Sequence, residues 1–214
     1  IPRDVMAGYT LMTTEAMDQL PQNVIPTHVF IQGGCGGLAG AVGADLWHRY
    51  GDKMPHLTVV EPVPAACLYE SARAGAPQLV NIIDESLMAG LSCGEVSLLG
   101  WQILKSGARH FLTISDAPVA PLMKLLAVGT SGDSAIVAGE SAIAGLKTSV
   151  HACCGMLATS SNTIKFNLGD PRKFSNPAPS APFKHILLLF FNTIDNSASF
   201  IFLTQFNLFN LVFN

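Results

Sequence analysis

Apolar positions recur every three or four residues at the start of the chain. Val5, Tyr9, Met12, Ala16 and Leu20 share one helical face, so a helix is expected over 4–20, ended by Pro21 and Pro26. The period then changes. A short apolar run at 29–31 (V-F-I) reads as a strand, and a small-residue stretch of helical period follows at 38–50. The alternation repeats. A β-branched run at 57–60 (L-T-V-V) is closed by Glu61 and Pro62, and a helix over 65–74 is stopped by Gly75. A loop is expected over 77–85, with a short strand at 79–83, and an irregular turn over 88–95. A helix over 98–106 ends at Gly107 with Trp101 and Leu104 on one side, and a third strand covers 110–114. Asp116 is a candidate N-cap for a helix running from Pro121 to residue 126. A loop at 130–133, a fourth strand at 136–138, a helix over 142–151 and a fifth strand at 164–166 complete the series. Strands alternating with helices predict an α/β fold, a mostly parallel sheet flanked by helices. Ligands of such sheets sit beyond the carboxyl ends of the strands.

The pattern breaks near residue 169. Residues 1–168 form the α/β unit, 169–182 are rich in proline and serine and read as a linker, and 183–214 form a Phe/Asn-rich tail. That tail holds eight of the twelve phenylalanines, and its charges are Lys184 and Asp195. It is expected to be poorly ordered and prone to aggregate, because apolar windows without charges lack gatekeepers. The run at 186–191 is too short to span a bilayer, and 200–213 is interrupted by Gln205, Asn207 and Asn210, so a membrane partner is not expected. The bias also resembles translation of A/T-rich DNA, and the tail is read as foreign to the ancestral domain. Transcript sequencing across 158–170 checks this; an uninterrupted frame in close relatives would overturn it.

Composition narrows the function. Charged residues are 13% and the formal net charge is −3, with no basic stripe for nucleic acid. Residues 1–10 contain Arg3 and Asp4 and no apolar core of a secretory signal, and the chain opens on isoleucine, so a fragment or processed product is the expectation. None of the five cysteines forms C-x-x-C, and His151 with Cys153 and Cys154 is the nearest approach to a metal set, so no metal ligand is assigned. Free thiols in a reducing, cytoplasmic compartment are expected.

The chemistry concentrates at 28–50. The strand at 29–31 runs into Gly33, Gly34, Cys35, Gly36 and Gly37, and a helix follows at once. Glycines let backbone approach a ligand closely, and a helix start offers unpaired N–H groups at the positive end of its dipole. Such a corner suits phosphate. Two readings stand. Gly34, Gly36 and Ala39 satisfy G-x-G-x-x-A, and Glu61 ends the next strand, the outline of a dinucleotide-binding oxidoreductase domain.

The other reading is a resemblance. Q-G-G-C-G-G-L-A-G (32–40) resembles the tetraglycine phosphate loop of fold type II, tryptophan synthase β-like pyridoxal-phosphate enzymes. V-M-A-G-Y-T (5–10), P-T-H-V-F-I-Q (26–32), V-V-E-P-V-P-A-A-C-L-Y-E-S (59–71), M-A-G-L-S-C-G-E (88–95) and V-A-G-E-S-A-I-A-G-L (137–146) follow in the order found in diaminopropionate ammonia-lyases. The resemblance covers about residues 1–165. It implies a homodimer binding pyridoxal 5'-phosphate and converting 2,3-diaminopropionate to pyruvate and ammonia. It places the cofactor phosphate on the backbone of Gly33, Gly34, Cys35, Gly36 and Gly37, and matches Glu140 to a carboxylate near the cofactor ring. An acid stabilised at a helix start is the alternative for Glu140. Cys67 and Cys93 match two family cysteines able to form a disulfide; a reduced pair is equally compatible.

The resemblance also implies a lysine that binds the cofactor, and catalytic aspartates. Lys53, Lys105, Lys124, Lys147, Lys165, Lys173 and Lys184 lie outside the family's lysine motif, so no catalytic residue is assigned. The family's T-E-G-D-T-D segment is replaced by N-L-G-D-P-R at 167–172. The chain is therefore expected to be inactive alone. A serine/threonine dehydratase-like protein or a non-catalytic remnant are the remaining alternatives.

Overall fold

The computed structural model describes residues 2–20, 22, 24–129, 135–146, 163–165, 185–191 and 198–204. Helix α1 (Pro2–Asp18) precedes β1 (His28–Gln32), α2 (Gly37–Tyr50), β2 (His56–Pro62), α3 (Cys67–Ala74), α4 (Leu98–Gly107), β3 (Ala108–Ile114) and α5 (Val119–Val128). Strands β4 (Thr163–Lys165), β5 (His185–Phe191) and β6 (Ala198–Thr204) follow. The described strands form one sheet in the order β4-β3-β2-β1-β5-β6. β1 lies parallel to β2 and β5, and β2 parallel to β3, while β4 and β6 pair antiparallel at the two edges. Two strands thus come from the stretch read as a tail. β1, β2 and β3 step outward in one direction and β5 returns to the other side of β1. Strand order reverses at β1, the position where open α/β sheets bind ligands.

Side-chain alternation builds a core on each face. Val29 and Ile31 pair in register with Leu57 and Val59, and all four join Ala39, Val42 and Leu46 of α2, Leu68 of α3, and Trp101 and Leu104 of α4. The intervening Phe30 and Val60 point the other way, to Met88, Leu91, Val119, Leu126, Ile143 and Leu146. Burial on both faces is what near-continuous apolar strands require.

Three expectations are corrected. Residues 79–83 form no strand; Val80 donates a lone backbone bond to Gly94 O at 2.8 Å, and Leu79 and Ile83 are exposed, so no ladder can form there. Residues 136–138 form no strand either; Ile136 N–H donates to Leu126 O, capping the end of α5 instead of joining the sheet. Helix α5 begins at Val119, two residues before Pro121, and Asp116 does not cap it with its side chain. Of the helix expected over 142–151, residues 143–146 are helical after a 3-10 turn at Glu140–Ala142; residues 147–151, the loop at 130–133, Cys153, Cys154 and the linker at 169–182 lie outside the described residues.

The amino ends of the strands carry a basic cluster in which His28 is buried and His56 and Arg109 are half-buried. His28 and His56 are register partners with ring centroids 4.8 Å apart, and Arg109 Nη1 stands 3.0 Å from His56 Nε2. Burial, then neighbouring positive groups, push His28 down to about 3; burial and Arg109 push His56 down to about 4. Both histidines are therefore neutral in the folded state and bind protons once unfolded. Their contribution is present above the unfolded value of 6.5 and is lost as pH falls toward the folded values. His28 alone is expected to cost about 2 kcal/mol of stability between pH 7 and pH 5. Urea unfolding at the two pH values checks it: His28→Gln should flatten the acid limb, and an unchanged limb would refute the assignment.

Candidate functional site

The glycine loop sits at the carboxyl end of β1, where α2 begins. Gly34 and Gly36 adopt φ of +62° and +91°, a region that side-chain-bearing residues rarely enter. Space is equally restrictive. A Cβ on Gly33 would stand 2.5 Å from Glu61 Cγ, and one on Gly36 3.0 Å from Leu68 Cδ2. Gly100 supports the loop from below, where a Cβ would stand 2.5 Å from Gly36 O. Ser97 caps α4 by accepting from Gly100 N–H at 3.3 Å, while its backbone N–H donates to Cys35 O at 2.7 Å. The start of α4 thereby fixes the loop's outer strand.

The loop amides divide into two sets. Gly33 N–H donates to Val60 O at 2.8 Å, Gly36 N–H turns back to Gly33 O, and the Cys35 amide favours charge on the Cys93 thiol, against the burial that pushes that thiol up. The N–H groups of Gly34, Gly37, Leu38 and Ala39 have no partner among the described residues. Helix α2 has glycine at its N-cap and no side-chain cap. An uncapped helix start with unpaired donors is the arrangement that an anion site requires. Leu38 and Ala39 were not singled out from sequence; the signal for them is general, since the first-turn amides of any helix lack intrahelical acceptors.

Glu61 has a different task from the one a dinucleotide fold would give it. It is 1% exposed, and its oxygens accept from the N–H groups of Leu68 (3.0 Å) and Tyr69 (2.7 Å). It caps α3 from the end of β2, because the N-cap position itself is Ala66. Burial pushes its carboxyl up to about 8 even though both amide bonds favour charge. With the carboxylate enclosed against its own chain, no acid remains at the strand end to bind a ribose, and the dinucleotide reading falls.

Other loops close over the same edge. Asp116, after β3, accepts from Ser86 Oγ (2.6 Å) and Leu87 N–H (2.8 Å), and Ser86 Oγ accepts from Met88 N–H. This clamp sets the Ala89–Leu91 turn against the glycine loop; Gly90 O would lie 3.5 Å from a Cβ on Gly34. Gly90 N–H in turn donates to Ser141 Oγ at 3.1 Å, drawing in the segment that carries Glu140. Glu140 is half-buried, and its carboxylate has no hydrogen bond or ion pair among the described residues. Gln32 Oε1, at the end of β1, and Ser92 Oγ are buried without partners, so this edge holds polar capacity that the protein leaves unused. Lys53, Lys105 and Lys124 are exposed on the turn after α2, on α4 and on α5. Cys35, Cys67 and Cys93 are all free thiols. No described helix is long and apolar enough to cross a membrane.

Comparison with known proteins identifies the family. The family described as pyridoxal-phosphate dependent enzyme matches residues 2–158. Diaminopropionate ammonia-lyase of Escherichia coli K12 is 38% identical over 149 residues, 68% of this chain and 37% of that protein. The Salmonella typhimurium LT2 protein of the same name is 34% identical over 151 residues, again 68% and 37%. The chain thus spans about 37% of the length of these relatives. The crystal structure of the Escherichia coli lyase in complex with an aminoacrylate-PLP azomethine reaction intermediate superposes with a TM-score of 0.63 at 31% identity, covering 79% of this chain and 47% of that one. The family match runs unbroken from α1 through the glycine corner to the segment beyond Glu140, and the sheet follows the same fold type II architecture. By that continuity, the chain belongs to the pyridoxal-phosphate dependent enzyme family.

Proposed function

We propose that this chain forms the phosphate-holding part of a pyridoxal 5'-phosphate site in an ammonia-lyase of the 2,3-diaminopropionate type. The observation that carries the reading is the set of unpaired amides at Gly34, Gly37, Leu38 and Ala39, beside Gly33 and Gly36 where a Cβ does not fit. Gly33, Cys35 and Gly36 shape that loop, and Gly34 and Gly37 donate from it. Oriented amides at a helix start hold a dianion without a lysine and need no reorganisation to do so. Glu140 is the carboxylate proposed to lie beside the cofactor ring. Ser141 holds its segment in place through Gly90. The Asp116 clamp keeps the 86–91 segment against the loop. When bound, the cofactor supplies an electron sink for the bonds at the substrate's α-carbon.

On this reading residues 1–168 carry the cofactor-binding part, the substrate class is a small amino acid such as 2,3-diaminopropionate, and the assembly is a cytoplasmic homodimer. No lysine of this chain is assigned to hold the cofactor covalently, so the chain alone is expected to bind without turnover.

Thermal unfolding with added ligand tests the proposal. Pyridoxal 5'-phosphate and inorganic phosphate should raise Tm while pyridoxal and NADH leave it unchanged; a hundredfold excess over Kd corresponds to about 2.7 kcal/mol. Borohydride treatment with the cofactor should leave no lysine adduct. Stabilisation by NADH without phosphate, or a reducible adduct accompanied by turnover, would overturn the reading.

A further inference from the structure

Strand β1 ends on a carboxamide among hydrocarbon neighbours. Gln32 is 5% exposed and pairs in register with Val60. Side chains alternate along a strand, so Gln32 lies on the face that Phe30 and Val60 occupy. Leu91 and Ile143 belong to the apolar cluster on that face. Thr58, also on it, places its hydroxyl 3.5 Å from His110 Nδ1. Gln32 is different: its Oε1 is shut off from solvent without a hydrogen-bond partner. Burying an unpaired carboxamide costs stability that a hydrocarbon of the same length would not. Two residues on, Gly34 packs against the Ala89–Leu91 turn; a Cβ there would lie 3.5 Å from Gly90 O and 3.8 Å from Leu91 Cα. Gly145 packs against β1 from another segment, where a Cβ would stand 3.3 Å from Phe30 O. Gln32 thus sits where the glycine loop, the Ala89–Leu91 turn and the segment that carries Glu140 meet the end of β1.

We propose that Gln32 is a specificity residue of the cofactor site: its Oε1 accepts from an O–H or N–H on the cofactor's ring while the loop amides hold the phosphate. The inference rests on the cofactor reading and adds a second point of recognition to it. The amides of Gly34, Gly37, Leu38 and Ala39 suit any phosphate and read nothing beyond it. A carboxamide at the end of β1 separates a phosphorylated heterocycle bearing hydroxyl groups from bare phosphate, because the heterocycle supplies the donor that Oε1 lacks. A neutral amide also suits this position better than a carboxylate, which would repel a phosphate dianion at the adjoining loop. A side chain of this kind lowers the stability of the free protein and is satisfied in the bound one.

Calorimetric titration of the full chain tests this with two probes, inorganic phosphate and pyridoxine 5'-phosphate. The second has the ring, its hydroxyls and the phosphate, but no aldehyde to react with surface lysines. Wild type should bind it at least about tenfold more tightly than inorganic phosphate. Gln32→Met keeps the length of the side chain and removes both polar atoms. It should weaken pyridoxine 5'-phosphate roughly tenfold and leave inorganic phosphate within about twofold. Without ligand, the same variant should have a higher Tm than wild type, an effect opposite in sign to the loss of a structural hydrogen bond. Equal affinity of wild type for the two probes, an unchanged ratio in Gln32→Met, or a lower ligand-free Tm for that variant would overturn the proposal. Those outcomes leave phosphate binding at the loop in place. A wild type that binds neither probe removes the cofactor reading and this inference together.

Discussion

Replacing Gly36 by valine is expected to remove about 3 kcal/mol of folding stability and, with it, all stabilisation by phosphate. Two costs combine. At φ +91° a β-branched residue pays the left-handed backbone penalty, about 1–2 kcal/mol. Its Cβ also meets Leu68 Cδ2 at 3.0 Å and Leu104 Cδ1 at 3.3 Å, side chains that are themselves fully buried and cannot retreat. Overpacking of that kind costs about 1–3 kcal/mol more. Gly75 supplies the control. It ends α3 at φ +72° with nothing within 4 Å of the place a Cβ would take, so Gly75→Ala should show the backbone cost alone, about 1 kcal/mol. Urea unfolding of the wild type and the two variants separates the terms. A Gly36→Val protein as stable as the Gly75→Ala one would refute the crowded geometry of the loop.

Glu61→Ala is expected to cost about 2–4 kcal/mol, because two amides at the buried start of α3 lose their acceptors and a cavity opens beside Gly33. Glu61→Gln keeps the shape and one acceptor and should cost less. Its pH dependence is the sharper test. The folded carboxyl, at about 8, lies above its unfolded value of 4.5, so its contribution is fully present below 4.5 and is lost as pH rises through 8. Wild type should therefore lose its advantage over Glu61→Gln by about 2 kcal/mol between pH 6 and pH 8. A pH-independent difference would mean that the carboxyl is ionised throughout. This runs opposite to the histidine pair, whose contribution fades on the acid side, so the two variants report opposite limbs of one stability curve.

The elements that were legible from sequence share a property: their evidence is local. Helix α1 announces itself through Met12 and Ala16 at helical spacing, although its buried face takes Met6 and leaves Val5 exposed, and β1 and β2 through short apolar runs ended by glycine and by Glu61-Pro62. The glycine corner between β1 and α2 was equally visible, because a glycine cluster after an apolar run marks a sharp turn into the next element. The misread segments depend on partners far away. Residues 136–138 carry a strand-like composition, yet the backbone there bonds to the end of α5. Asp116 looks like a cap because it precedes a helix, but its carboxylate is drawn 30 residues back to Ser86 and Leu87. Spacing along the chain says nothing about such a choice between near and distant donors.

The sequence by itself determined the strand–glycine–helix corner and the family, since both rest on residue types in fixed local order. Only the tertiary structure decided which amides stay open, that Glu61 caps α3 instead of meeting a ligand, and that Asp116 reaches back to Ser86 and Leu87. Each of those depends on which groups the fold brings within about 3 Å, and a hydrogen bond formed at that range removes a donor or acceptor that the chain, read in one dimension, still displays as free.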